Sequence, residues 1–242
     1  EEHLLDALFI LAHPGDELLG CGGTLLRHVH HNHKVGLVIL GDGVSSRQKE
    51  SDDAASMMTA KRELRTALQA VVERLDLNTW YYFRFEDNRF DKHDLLDLIK
   101  VLEPIFKRHN PQTVYTNHPG DLNIDHRCTF EAVATALRPD YSRSLSSLFC
   151  VEVPTSTDWG VSGNVFQPNW FVDISGSDGT TTLLDKKLQA LGMYQGEMRP
   201  FPHARSIVAV RSLAQHRGAT VGIEASEGFV LGRRVTIESS LP

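Results

Sequence analysis

Two short stretches carry residue types that bind metals and move protons. The first, AHPGDE at 12–17, sets His13 and Asp16 three residues apart directly after an apolar run. The second, HPGDLNIDHR at 118–127, gathers His118, Asp121, Asn123, Asp125 and His126 after another apolar run. Imidazole with carboxylate suits zinc, and three protein ligands leave a fourth position for water or substrate. Each stretch also has a plain reading. Asp16 and Asp125 can cap the helices that follow, His13 can be incidental, and Asx-rich turns are ordinary loop chemistry. The pairing favours the metal: two such loops, each ending a buried run, bring a histidine at the start of a later helix to a His-x-x-Asp turn.

Those loops need a scaffold that brings them together. Leu4 to Ala12 and KVGLVIL (34–40) read as buried strands, as do TWYYFRF (79–85) and PQTVYT (111–116). SSLFCVEVP (146–154), NWFVDIS (169–175) and EGFVLGRRVTIE (227–238) read as further strands. Helical periodicity covers Leu18 to His30, Ala54 to Glu73, Leu95 to His109, Arg127 to Leu137, Leu183 to Tyr194 and Ala204 to His216. Gly20, Gly22 and Gly23 thin the first of these helices for close packing. They follow the helix start at the wrong spacing for a dinucleotide fingerprint. Strands alternating with helices, the early strands continuously apolar, predict an α/β, Rossmann-like fold: a mostly parallel sheet with helices on both faces. With no repeat or linker in view, one domain over residues 1–242 is expected. Ligands of such sheets bind beyond the carboxyl ends of strands, where the loops 12–17, 41–53 and 117–126 lie.

Composition narrows the function. The 242 residues are 41% hydrophobic and 23% charged, with formal net charge −6, which argues against nucleic acid as the partner. Cys21, Cys128 and Cys150 form no CxxC pair, so no disulfide framework or thiolate zinc site is expected. No segment approaches the run of roughly 18 apolar residues of a membrane span, so no stable membrane insertion is expected. The acidic start EEHLLDALFI is unlike a signal peptide, and cytoplasmic residence is the expectation. A homo-oligomer is compatible with the sequence.

AHPGDE followed by HPGDLNIDHR resembles the PIG-L/LmbE-like family of zinc-dependent N-deacetylases. GDGVSSR, Arg62-Glu63, DNRFD, VPTSTDW, PNWFVDIS, MYQGEMRPFPHARS and RGATVGIEASEGFVL also look like family segments. The resemblance implies Zn2+ held by His13, Asp16 and His126, and hydrolysis of the acetyl group of an amino sugar or a nucleotide- or lipid-linked sugar. It implies that a carboxylate acts as general base and acid and that a donor opposite the metal steadies the oxyanion. Two departures stand out. The family's base is the first aspartate of AHPDDE, which here is Gly15. The position three before the last histidine is usually histidine, paired with the next aspartate; here it is Asn123, followed by Asp125. Gly15 has three readings: a deliberate substitution that impairs activity, a natural variant with Asp121 or Glu17 as base, or loss of hydrolysis with binding retained. The otherwise intact site favours the first.

Other residues have paired readings. Arg47 and Arg62 can bind a sugar hydroxyl or phosphate, or be surface and helix charges. Asp87 and Asn88 can line the pocket or build a turn. Trp159 offers a face for a sugar ring or packs. His203, in PFPHARS, can reach substrate or the oxyanion or only start a helix. The tract HVHHNHK (28–34) reads as a solvated helix terminus. Beside deacetylation stand two alternatives: a non-catalytic sugar-binding protein, and a metal-dependent amidase or deformylase on another acylated amine.

Overall fold

The structure, a computed structural model, describes residues 4–47, 53–139, 145–161, 163–177 and 179–236. In chain order its main elements are β1 (Ala7–Leu11), α1 (Asp16–His30), β2 (Val35–Gly41), α2 (Ala54–Arg74), β3 (Thr79–Phe85), α3 (Leu95–His109) and β4 (Thr113–Asn117). Then follow α4 (Ile124–Ala136), β5 (Ser147–Val151), β6 (Trp170–Asp173), α5 (Leu183–Leu191), α6 (Ile207–Ala219) and β7 (Ser226–Arg234).

β1 and β2 are buried at every residue, which requires apolar layers on both faces of the sheet. Phe9 and Leu11 pack with residues of α1, α2 and α5, whereas Leu8 and Ile10 pack with α3 and α4. The strand order is β3-β2-β1-β4-β5-β7-β6. β1 to β5 pair in parallel, and β7 runs antiparallel between β5 and β6. The chain leaves β1 toward one edge and later returns to add β4 on the other side. The crevice between the carboxyl ends of β1 and β4 is therefore a switch point, the place where such sheets bind ligands. Asn117 Oδ1 accepts from Ala12 N at 2.9 Å and joins the two strand ends there.

α1 contains a break at Cys21 (φ −148°, ψ 20°), and the backbone groups it frees are satisfied from β7 and α5. Glu227 accepts from Gly23 N and Thr24 N at 2.8 and 2.7 Å. Lys187 Nζ donates to Leu19 O at 3.0 Å and to Glu227 Oε1 at 2.7 Å. Gly23 makes the approach possible, because a Cβ there would lie 2.6 Å from Ile174 Cγ2.

Several boundaries differ from the sequence reading for local reasons. α4 starts at Ile124 rather than Arg127, because Asn123 rather than Asp125 is the N-cap: its Oδ1 accepts from Asp125 N at 2.8 Å. That shift puts His126 in the first helical turn. α1 starts at Asp16 with Gly15 as N-cap, so Asp16 is not a cap. α5 ends at Leu191, before the expected Tyr194, and α6 begins at Ile207, capped by Ser206. A compact loop over 192–206 lies between them. The expected last two residues of the final strand, 237–238, lie outside the described residues.

Candidate active site

Gly15 turns the chain sharply after β1. Its φ of +100° is a conformation that side chains with a Cβ rarely adopt. The turn is closed by its own acids: Asp16 Oδ2 accepts from His13 N at 3.1 Å, and Glu17 Oε2 accepts from Gly15 N at 2.8 Å. His13 Nδ1 lies 3.8 Å from Asp16 Oδ2. From the other side of the switch point, His126 brings Nε2 to 3.2 Å from the same oxygen. One donor atom from each of His13, Asp16 and His126 lies within 4.8 Å of the other two, and all three residues are buried.

The far nitrogens of both rings are anchored. His13 Nε2 donates to Asp125 Oδ2 at 2.8 Å and is 3.0 Å from Asp87 Oδ1. His126 Nδ1 donates to Asp121 Oδ2 at 2.9 Å. These partners fix the tautomers, so that His13 Nδ1 and His126 Nε2 present lone pairs toward Asp16, as second partners of metal-bound histidines do. His126 Nε2 is fully buried and has no hydrogen-bond partner, an uncompensated acceptor that a cation would satisfy. His13, Asp87 and Asp125 form a second triple of suitable atoms, but there the imidazole nitrogen is the donor to two carboxylates.

Charge points the same way. Asp16, Asp87, Asp121 and Asp125 are 2, 4, 1 and 0% exposed, around only two imidazoles. Burial works against a charge on His13, yet hydrogen bonds to Asp125 and Asp87 outweigh it and push its pKa up to about 10. Burial likewise opposes charge on His126, but Asp16 and Asp121 raise it to about 9. Burial also penalises the Asp16 carboxylate, and His126 beside it more than compensates, holding it below the usual range. A dry cluster that draws protons onto both histidines has the charge to hold a divalent cation instead.

The supporting residues come from four strand ends. Asp125 also accepts from Asn88 N at 2.5 Å and Phe90 N at 2.9 Å, in the loop after β3. Asp121 also accepts from Thr157 Oγ1 at 2.6 Å, Ser156 Oγ at 3.0 Å and Asn123 N at 2.8 Å. Asp121 and Asp125 thus sit behind the imidazoles. Asp87 lies against His13 and also accepts from the Ser46 hydroxyl. Asn88, at φ +56°, builds the turn that feeds Asp125. Glu17 is sealed beneath the Gly15 turn, its Oε1 accepting from Tyr194 OH at 2.7 Å, and burial lifts its pKa to about 7.

Among the described residues, no hydrogen bond or ion pair joins Arg62, Trp159 or His203 to the cluster. Arg62 is exposed on α2. Arg47 ends the short turn Ser45–Arg47, and its side chain lies outside the described residues. Trp159 is 53% exposed in the loop after β5. His203 Nδ1 accepts from Arg205 N at 3.1 Å within the loop before α6. The histidine tract is less solvated than expected: His28 is half-buried, with Nε2 3.0 Å from Tyr115 OH and Nδ1 2.8 Å from His33 Nδ1. Local sequence gave no sign of Ser156 and Thr157 on Asp121, or of Arg205, which bonds Thr155 Oγ1 at 2.8 Å and Glu197 Oε2 at 3.1 Å.

Comparison with known proteins places the chain in a family. Residues 8–137 match the family model for PIG-L, GlcNAc-PI de-N-acetylase. An Escherichia coli protein described as the uncharacterized deacetylase YaiS is 28% identical over 142 residues, covering 54% of this chain and 67% of that protein. The N,N'-diacetylchitobiose deacetylase of Pyrococcus horikoshii superposes with TM-score 0.71 at 20% identity, over 94% of this chain and 84% of that one. The 4-carboxy-2-hydroxymuconate hydratase GalB of Pseudomonas putida superposes with TM-score 0.72 at 19% identity, over 96% of this chain and 98% of that one. At these identities the two structures share the fold with this chain.

Proposed function

The chain belongs to the PIG-L family of deacetylases, and from that premise we propose that it hydrolyses the N-acetyl group of an amino sugar or amino-sugar conjugate with the help of a bound zinc ion. The observation that carries this reading is the buried Nε2 of His126, which has no hydrogen-bond partner, lies 3.2 Å from Asp16 and is grouped with His13 in a cluster rich in carboxylates. His13, Asp16 and His126 would hold the metal. When bound, zinc supplies an acidified water and polarises the acyl carbonyl.

The chain's own residues do the rest. Asp125 holds His13 and Asp121 holds His126, each fixing a ring so that its free nitrogen faces the metal position. Asn123 spends its carbonyl on capping α4, which leaves its amide N–H2 end as the donor for an oxyanion. Trp159, exposed in the loop after β5, offers a flat face to a sugar ring. Gly15 leaves position 15 without a carboxylate, so turnover is slowed unless another group takes the proton. The products are acetate and a free amine.

The test is acetate release from N-acetylglucosamine, N,N'-diacetylchitobiose and a lipid-linked N-acetylglucosamine, with the zinc-loaded chain and with His126→Ala. Release by the parent and none by the variant is expected. A second reading rests on Gly15 itself: a sugar-binding protein without hydrolysis. Binding of these sugars with no acetate released would favour it.

A further inference from the structure

We propose that Glu197 supplies the carboxylate that Gly15 lacks, acting as the general base for hydrolysis; this rests on the deacetylation reading above. A Cβ placed on Gly15 would have two neighbours within 4 Å: Glu197 Cγ at 3.9 Å and Tyr194 Cδ2 at 4.0 Å. A side chain at position 15 would therefore run alongside Glu197. The stem of Glu197, one carbon longer than that of aspartate, reaches the same neighbourhood from the opposite wall.

The other nearby carboxylates are directed away from position 15 or hold the imidazoles. Glu17 uses one oxygen on Gly15 N and the other on Tyr194 OH. Asp121 and Asp125 sit behind the two imidazoles, each among several donors. Asp87 lies on the far nitrogen of His13. Glu197 alone among them approaches from the side that the missing side chain would have occupied.

Glu197 is also held in place. It is 6% exposed, and its N–H donates to Tyr194 O at 2.9 Å in the turn after α5. It lines a cleft of about 680 Å³ between α2 and that turn. Arg205 binds its Oε2 and reaches Thr155, next to the Ser156 and Thr157 that hold Asp121. Thr155 has φ +74°, a costly conformation for a β-branched residue that folds retain chiefly at functional sites. One framework thus orients both Glu197 and the imidazole of His126.

The step balances without a further reagent. Glu197 takes a proton from the water whose oxygen bonds to the acyl carbon. The C–N bond then breaks, and Glu197 returns the proton to the departing nitrogen, giving the amine and acetic acid, which ionises to acetate.

The test uses the zinc-loaded full chain as parent, Glu197→Gln, Gly15→Asp and the double variant, acting on whichever N-acetyl sugar the parent cleaves. Glu197→Gln is expected to lower kcat by about 10²–10⁴-fold, with KM within about threefold, bound zinc unchanged and Tm within a few degrees. Gly15→Asp is expected to restore most of the loss in the Glu197→Gln background and to raise the parent by a much smaller factor, the non-additivity of two groups sharing one task. Because φ at Gly15 strains any side chain, Glu197→Gln alone suffices if the aspartate variant does not fold. A readout apart from turnover is proton uptake on binding methylphosphonate, from calorimetry in two buffers: Glu197→Gln is expected to take up one proton fewer than the parent. Turnover within threefold of the parent, equal gains from Gly15→Asp in both backgrounds, or identical proton uptake would each overturn the assignment. A parent that binds one equivalent of zinc and releases no acetate, yet differs from Glu197→Gln in proton uptake, would instead refute deacetylation and leave the carboxylate in place.

Discussion

Asp125→Asn isolates the role of the carboxylate behind His13. Asp125 is fully buried and accepts three hydrogen bonds, from His13 Nε2 at 2.8 Å, Asn88 N at 2.5 Å and Phe90 N at 2.9 Å. Asparagine keeps one acceptor oxygen and turns the other position into a donor. Oδ2 serves both His13 and Asn88 and Oδ1 serves Phe90, so an amide nitrogen at the first position faces two donors and one at the second faces the Phe90 N–H. A buried group left unsatisfied in this way costs about 1–3 kcal/mol. With the amide oxygen on Phe90 N, His13 loses its anchor and can take the other tautomer, withdrawing the lone pair aimed at the metal position; with it on His13, the anchor loses its charge. Zinc affinity should then fall by about 10–100-fold, with a loss of fold stability of about 2 kcal/mol. Competition against a chelator of known affinity reads the first quantity, and urea unfolding of the metal-free chain reads the second. Zinc affinity within twofold of the parent would refute the view that Asp125 orients His13 for a metal.

Two further perturbations test the scaffold. Glu227→Gln removes the charge opposite the buried Lys187 and one acceptor for the broken turn of α1; a loss of about 3 kcal/mol is expected, seen as a Tm lower by about 6–12 °C, and a shift under 2 °C would show that the pair does not hold the kink. His28 is kept largely uncharged by burial, its pKa lowered to about 4. Because the unfolded chain binds the proton from about pH 6.5 downward and the folded chain does so only near pH 4, its contribution is present above pH 6.5 and lost as pH falls from 6.5 to 4. Metal-free His28→Gln should therefore lose less Tm than the parent between pH 7 and pH 5, and equal losses would remove His28 from the account.

The sequence exposes what is local. TWYYFRF and the Leu95 to His109 periodicity coincide with β3 and α3, because an apolar run or a 3.6-residue stripe between polar loops sets those elements by itself. His13, Asp16 and His126 were legible because two strand-end loops of one parallel sheet converge at a switch point. What stayed hidden depends on contacts across long stretches of chain. Asp87 reads as a pocket or turn residue until the register of β3 beside β2 sets it against His13. Glu197 and Arg205 lie in a loop with no periodicity, and only the packing of that loop on the Gly15 turn and on Thr155 gives them meaning. Asn88 illustrates the converse: a plausible sugar contact in sequence, it serves the turn through its backbone N–H.

The central claim is that a zinc ion held by His13, Asp16 and His126 is required for acetate release. Metal-free chain titrated with zinc, with bound metal and released acetate measured on the same samples, tests it most directly. Release is expected to rise in proportion to bound zinc up to one equivalent, and His126→Ala is expected neither to bind that equivalent nor to release acetate. Undiminished release from the metal-free chain, or from His126→Ala, would contradict it.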